Sequence, residues 1–489
     1  MRKPASVRAR PASAGPTASA AEAKAKITPA RGAAFEILTL VGEGNGHSDE
    51  LLHSSRTAGL SPEDRNLATA LVMGVLRWEI ALDARIARLL ARPDQRLAAP
   101  VALALRMGAF QLLHMDRIPA HAALSESVEL CRAAGQPHAA GMVNAVLRKL
   151  AGPTSQSRDV GHPAVSNRSR DVGHPRPPVS KEGAGAPIFE STAESSAAFA
   201  ERLGHPRWLV ERWVAAYGRE AALAICEYDQ REPQHGAIFV GADAEARDTS
   251  VIPAEAFPQM DDGSRVVVEL AAAATPLTPG RPARVWDCCA APGGKTLVLA
   301  LRLPDAEILA TDASAKRLAQ VAARLRRYAH SYAERVRCAV VDASAVSGQP
   351  EASFDLILCD VPCSGTGTLA RNPEIRHRMR PEDLARQAAR QRAILGGALR
   401  RLAPGGRLVY STCSLEPEEN ERVVEAAASE AGLRRLPVGP LIARLAQTGV
   451  LRQEIAATLR NSAVSDGALR TLPGVHGCDG FFAVVLERV

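Results

Sequence analysis

No stretch of this 489-residue chain holds the roughly 18 consecutive apolar residues that a membrane helix needs, so no membrane partner is expected. The chain also lacks any Cys-x-x-Cys pair. Its nine cysteines are odd in number and include the adjacent Cys288 and Cys289. That pattern fits neither a secreted disulfide framework nor a structural zinc site, so no metal site is predicted and a reducing cytoplasm is the expected compartment. Missing, too, is an apolar h-region near the start, where Arg2, Lys3, Arg8, Arg10, Lys24 and Lys26 face only Glu22. A secretory signal is not expected there. The prolines oppose a continuous amphipathic helix, so residues 1–26 read as a disordered basic tail, with an organelle transit peptide as the alternative.

What the sequence does hold is 46% hydrophobic residues, ordinary for globular folds, over a length that allows roughly three domains of about 150 residues. A net charge of +7 and a pI near 9.0 allow a nucleic-acid partner without demanding one. From residue 27 to 151 apolar residues recur at spacings of three and four, which predicts a helical bundle. Ser61 can cap a helix whose first turn holds Pro62, Glu63 and Asp64, with Leu67, Leu71 and Val75 then along one face. Further helices are predicted around 33–41, 80–90, 100–114, 120–134 and 141–150. His114, His121 and His138 are not spaced as ligands and read as surface or hydrogen-bonded helix histidines. Residues 152–194 turn to Ser, Pro, Gly, Arg and His, and Ser-Arg-Asp-Val-Gly-His-Pro occurs twice, at 157–163 and 169–175. So little apolar surface predicts a disordered linker or insertion, with His162 and His174 solvated. A helical pattern resumes over 195–228, with Trp208 and Trp213 packing between helices, and an irregular part follows up to 282.

From Arg284 onward strand and helix alternate. Strands are predicted over 285–288, 308–311, 336–341, 354–359, 408–410 and 482–486, with helices from Lys295, over 314–328, over 381–402 and from Pro417. This order predicts a mostly parallel sheet covered on both faces, an α/β Rossmann-like domain over 283–489. Such sheets keep ligands beyond the carboxyl ends of their strands. The run Asp287 to Thr296 follows the first strand and opens the first helix, where close approach of a ligand needs glycine. A triphosphate loop requires a glycine five residues before Gly294, where Cys289 stands, and no Gly-x-Gly-x-x-Gly follows that strand. A nucleoside cofactor without a pyrophosphate is therefore the better reading. Asp312, 19 residues beyond Gly293, ends the second strand and Asp342 the third. Each either holds ribose hydroxyls or caps the helix that follows. Cys363, after the fourth strand, and Cys413, after the fifth, bring two thiols to adjacent strand ends, with inert packing or a disulfide as the bland alternatives. Asp360 is placed to orient a base or a cofactor amine. Pro417 with Glu416, Glu418 and Glu419 suits the positive end of a helix dipole.

Cys289-Ala290-Ala291-Pro292-Gly293-Gly294-Lys295, Asp360-x-Pro362-Cys363-Ser364-Gly365-x-Gly367, Ser411-Thr412-Cys413-Ser414 and the closing run His476 to Phe482 together closely resemble the RNA cytosine-C5 methyltransferases of the Sun/Nop group. In the first half, Asp64-Arg65, Gly74 to Arg77, Arg117 to Ala123 and Val143 to Arg148 resemble the NusB-like RNA-binding domain of the RsmB branch, which modifies small-subunit ribosomal RNA. The resemblance implies an all-α NusB-like bundle over 27–151, a helical connector with a shortened RNA-contacting subdomain over 195–282, and a class I methyltransferase domain over 283–489. It implies S-adenosyl-L-methionine as cofactor, bound by Cys289, Ala290, Ala291, Pro292, Gly293, Gly294, Lys295, Asp312, Asp342 and Asp360. It further implies Cys413 as nucleophile, Cys363 as the group that assists product release, and a cytoplasmic, monomeric enzyme whose partner is small-subunit ribosomal RNA. The chemistry agrees: cytosine C5 accepts a methyl group only after a thiolate adds at C6, and the base must be unpaired or turned out of its stack. Two departures stand out. The segment 236–260 is short, with Ala237-Ile238-Phe239-Val240 where relatives carry Arg-Val-Asn, and Met260 to Arg265 keeps Gly-Ser without the usual glutamines. A transfer-RNA target and a non-catalytic assembly factor are the rival readings; the presence of both cysteines weighs against the latter.

Overall fold

The structure is a computed structural model that describes residues 23, 26–152, 194–233, 238–239, 260–328, 335–345, 347–348, 350–428 and 432–489. The basic tail, the repeat-bearing linker and the shortened 236–260 segment fall almost wholly outside those residues. The chain divides into two units, residues 1–204 and 205–489.

The first unit is helical: α1 (Pro29–Gly42), α2 (Pro62–Ala87), α3 (Ala99–His114), α4 (Ala120–Ala133) and α5 (Ala140–Ala151) carry its core. The Ser61 hydroxyl accepts the Asp64 N–H at 3.1 Å, the cap its sequence predicts. The separate helix expected over 80–90 is instead the end of α2, a single helix of 26 residues. No breaker interrupts it, and its stripe of Leu71, Val75, Leu82 and Ile86 stays buried throughout. Gly74 lets α2 and α3 touch, since a Cβ there would lie 1.9 Å from Phe110 Cζ. Buried Arg31 donates to Gln111 Oε1 at 2.7 Å and to Glu126 Oε1 at 2.9 Å, tying α1 to α3 and α4. His114 stacks on Trp78 and Phe110 at the surface, an exposed helix histidine whose pKa partial desolvation and Arg85 lower.

The second unit is built on a sheet of β1 (Arg284–Asp287), β2 (Glu307–Asp312), β3 (Val336–Val340), β4 (Phe354–Asp360), β5 (Leu402–Thr412), β6 (Leu433–Leu436), β7 (Val464–Ser465), β8 (Ala468–Arg470) and β9 (Phe482–Arg488). Their order is β3-β2-β1-β4-β5-β9-β8-β7, with β6 also pairing β9. Strands β1 to β5 are parallel, as expected, but β9 runs antiparallel to β5, β6 and β8, and β7 antiparallel to β8, so the sheet as a whole is mixed rather than mostly parallel. Alternate residues feed the two faces: Val285, Leu356, Leu358 and Val409 join one core, while Trp286, Ile357, Leu408 and Tyr410 join the other. The chain leaves β1 toward β2 and β3 and later returns on the other side as β4, so the strand order reverses beside β1 and opens a crevice at the carboxyl ends.

Helices α6 (Arg207–Tyr217) and α7 (Arg219–Asp229) precede α8 (Asp262–Ala274), which lies where the sequence reads as irregular. Asp261 caps α8 by accepting the Ser264 N–H at 2.6 Å, and Val266, Val267, Leu270, Ala271 and Ala274 are buried. Its polar stripe of Asp262, Arg265 and Glu269 flanks the β-branched run Val266 to Val268, which favours a strand, and that is why the pattern hides it. Around the sheet follow α9 (Gly294–Arg302), α10 (Ala315–Tyr328), α11 (Pro381–Leu399), α12 (Glu421–Ala428), α13 (Gly439–Gln447) and α14 (Gln453–Thr458). The last two helices and β6 to β8 are elements the sequence pattern does not announce. Among the described residues no helix is long and apolar enough to cross a membrane.

Candidate active site

The turn from β1 into α9 is tight because Gly293 takes a φ of 100°, and a Cβ there would come within 3.0 Å of Val321 Cα on α10. The Gly293 N–H donates to Ala290 O at 2.7 Å, and the Ala290 N–H donates to Thr311 O at 2.8 Å, tying the loop to β2. Asp287, at the carboxyl end of β1, accepts the Thr296 hydroxyl at 2.7 Å on Oδ2 while its buried Oδ1 has no partner. Burial pushes this carboxyl up to about 7, against the opposing Thr296 hydrogen bond. The Cys288 thiol and burial hold the half-buried Cys289 thiol well above its usual range, which disfavours its thiolate.

Lys295 leaves the first turn of α9 and meets Asp360, at the end of β4, with Nζ 2.7 Å from Oδ2. The Ser411 hydroxyl donates to the other oxygen of Asp360 at 2.8 Å, linking β5 to the same pair. Burial alone would lower the Lys295 pKa, but Asp360, Asp261 and Cys413 outweigh it and raise it, so the ammonium stays charged. Asp312 Oδ1 accepts the Ser314 N–H at 2.9 Å, and Arg317 lies 3.6 Å from Oδ2. Asp342 is exposed and accepts the Ser344 N–H at 2.9 Å and hydroxyl at 2.6 Å, which lower its pKa. Asp312, the last residue of β2, and Asp342, two residues past β3, thus make local turn bonds, but neither caps a helix: the Ser314 hydroxyl accepts the Arg317 N–H to cap α10, and among the described residues no helix lies between Asp342 and β4. Among the described residues no hydrogen bond or ion pair joins Asp342 to the Lys295–Asp360 pair.

The two thiols meet. Cys363, on the loop after β4, and Cys413, just past β5, have Sγ atoms 3.3 Å apart. A hydrogen bond to Cys413, burial, and the charges of Cys413 and Glu419 hold the Cys363 thiol well above its usual range. Their loops are stitched by the Gly367 N–H donating to Cys413 O at 2.9 Å and the Leu415 N–H donating to Thr366 Oγ1 at 2.9 Å.

The helix expected from Pro417 begins at Glu421 instead, and the acidic residues before it serve side-chain contacts rather than a helix dipole. Buried Glu416 accepts Arg212 Nε at 2.6 Å and Trp213 Nε1 at 3.1 Å, and Glu418 accepts Arg212 Nη2 at 2.6 Å, so α6 clamps the segment after Cys413. Glu419 turns inward to Ser364, Ser414 and Gln391. The Tyr410 hydroxyl donates to Glu419 O at 2.6 Å and the Asn420 amide donates to Ser414 O at 2.8 Å, which holds this stretch in turns against β5.

Sequence reasoning passed over four carboxyls of this region, of which Asp287, Asp479 and Glu419 are buried and Asp261 half-buried. Asp287 is flagged in the sequence only as an acid ending an apolar strand. Asp261 caps α8 beside Lys295, and burial raises its pKa. Asp479 binds Arg371 Nε at 2.6 Å and the Tyr228 hydroxyl at 3.1 Å, with burial and Asp261 raising it. Glu419 stands among acids that look like solvent-facing neighbours, and only the fold separates them.

Residues 274–487 match the family described as 16S rRNA methyltransferase RsmB/F, and residues 28–152 match the NusB family. The chain is 34% identical over 485 residues to ribosomal RNA small subunit methyltransferase B of Xanthomonas campestris pv. campestris, covering 96% of this chain and 99% of that one. It is 28% identical over 495 residues to the probable ribosomal RNA small subunit methyltransferase B of Bacillus subtilis, covering 95% and 99%. In fold it is similar to the crystal structure of PH0851, with a TM-score of 0.64 and 19% identity over 94% of this chain and 99% of that one.

Proposed function

This chain belongs to the RsmB/F family of 16S rRNA methyltransferases, and from that premise we propose that it methylates C5 of a cytosine in small-subunit ribosomal RNA through a covalent bond between Cys413 and C6. The observation that carries the reading is the pair of thiols 3.3 Å apart at adjacent strand ends, beside the ammonium of Lys295. A bare methyl transfer to oxygen or an amine needs no such pair; carbon methylation of a pyrimidine needs a nucleophile at C6 and a second group for elimination.

S-adenosyl-L-methionine fits the crevice on two observations: the Gly293 turn leaves no room for a side chain, and Asp287 Oδ1 is buried without a partner. Residues 289–295 with Asp312, Asp342 and Asp360 would hold it, and when bound it supplies an electrophilic methyl group. The chain's own groups do the rest. The Cys413 thiolate adds to C6, and the electron pair it displaces makes C5 nucleophilic. Lys295 stabilises negative charge next to the thiolate, and Asp360, fixed by Lys295 and Ser411, orients the base. Once Cys413 is a neutral thioether, two of the influences that hold the Cys363 proton disappear, namely the hydrogen bond to the thiolate and its charge. Cys363 can then lose its own proton to solvent, and the resulting thiolate takes the C5 proton, after which the C6–S bond breaks and Cys413 leaves as a thiolate. We propose a monomer acting in the cytoplasm.

Bisulfite sequencing of small-subunit ribosomal RNA incubated with the pure protein and S-adenosyl-L-methionine tests the reading. It predicts one newly protected cytosine; a methyl group incorporated without bisulfite protection would place it on another atom.

A further inference from the structure

We propose that Glu419 is the positioning residue that holds Cys363 and Cys413 at their working separation. The proposal rests on the two-cysteine reading above. Glu419 is fully buried, and its carboxylate is spent on the immediate neighbours of the two cysteines. Oε1 accepts the Ser364 N–H at 2.9 Å, and Oε2 accepts the Ser364 hydroxyl and, at 2.5 Å, the Ser414 hydroxyl. Ser364 follows Cys363 and Ser414 follows Cys413, so one carboxylate grips both loops a single residue away from each sulfur. Gln391 of α11 completes the grip, its amide donating to Glu419 Oε1 at 2.9 Å and to Pro362 O, just before Cys363, at 3.0 Å.

The backbone of Glu419 is itself fixed by the Tyr410 hydroxyl of β5, so the carboxylate refers both loops to the sheet. A buried carboxylate among four donors is a rigid anchor, because each released hydrogen bond would leave a buried polar group unpaired. Its charge also faces Cys363 and helps to keep that thiol protonated. Glu419 touches neither sulfur through a hydrogen bond; it acts through Ser364 and Ser414.

The test compares Glu419→Ala, Glu419→Gln and the double variant Ser364→Ala/Ser414→Ala with the wild type in two assays. In the first, without RNA, diamide takes two electrons and two protons from the paired thiols, becoming the hydrazine as they form a disulfide. Peptide mapping follows the rate of the Cys363–Cys413 link. The sulfurs need to close from 3.3 Å to a bond of about 2 Å, so the rate reports their alignment. We expect Glu419→Ala and the double variant to link at least about tenfold more slowly, since misplacement by an ångström costs that much or more. Glu419→Gln, which can turn its amide toward the two hydroxyls, should stay within about threefold of the wild type. In the second assay, on ribosomal RNA, the Ala variant should lose kcat with KM unchanged. The Gln variant should shift the alkaline-going limb of its pH profile to lower pH, because the charge that holds the Cys363 proton is gone. Linking and turnover in a folded Glu419→Ala protein within about twofold of wild type would overturn the proposal. If that variant does not fold, wild-type linking in the double variant overturns it instead. If linking depends on Glu419 as expected but the wild type methylates no RNA, the positioning role stands and the covalent reading alone fails.

Discussion

Gly367 runs against Gly480 so closely that a Cβ on Gly367 would sit 2.3 Å from the Gly480 carbonyl oxygen. The Gly480 N–H donates back to Gly367 O at 2.8 Å, so the loop carrying Cys363 crosses the lead-in to β9 backbone to backbone. Gly367→Ala must therefore displace the Cys363 loop or the lead-in to β9 from this crossing. The expected result is a loss of methyl transfer of about a hundredfold, measured with tritiated cofactor on ribosomal RNA. Gly396→Ala, where a Cβ meets nothing within 4 Å, is the control and should leave activity unchanged.

The same reasoning applies at the crossing of α2 and α3. Gly74→Ala places a methyl group inside the Phe110 ring and should destabilise the helical unit by about 1–3 kcal/mol in urea unfolding. Adding Phe110→Leu should restore part of that loss; no recovery in the double variant would mean the clash is relieved elsewhere.

Asp287 gives a pH signature. Its folded value, about 7, lies above the 3.8 of an aspartate in an unfolded chain, so its protonated form stabilises the fold below about pH 4, and that contribution is lost as pH rises through 7. Asp287→Asn keeps the neutral form at every pH. Between pH 5 and 8 the wild type should lose stability relative to this variant, by an amount on the order of up to 3 kcal/mol, in denaturant titrations at both pH values. A constant difference across that range would show that Asp287 is ionised in the fold throughout.

Much of the architecture was legible because its cues are local. The cap at Ser61, the alternating apolar strands and the glycine turn at Gly293 each declare themselves within a few residues. The approach of Cys363 and Cys413 was legible too, since both follow strands that parallel order makes neighbours. What stayed hidden depends on burial. Helix α8 carries the strand-favouring run Val266 to Val268 beside its short polar stripe of Asp262, Arg265 and Glu269, and α2 continues unbroken through Ile80, where the sequence pattern restarts. Glu416, Glu418 and Glu419 are chemically alike in sequence, yet Arg212 takes two and the cysteine loops take the third. Asp312 and Asp342 read equally as ribose ligands or caps; in the fold their turn bonds go to Ser314 and Ser344, and neither caps a helix, since Ser314 caps α10 and no helix is described after Asp342 before β4.

The division of labour between the two thiols is the central claim, and denaturing gel electrophoresis of single variants incubated with ribosomal RNA and S-adenosyl-L-methionine tests it most directly. Cys413→Ala should form no covalent complex and transfer no methyl group. Cys363→Ala should accumulate a protein–RNA adduct whose mass includes the transferred methyl. An adduct formed by the Cys413 variant and absent from the Cys363 variant would contradict the account and reverse the two roles.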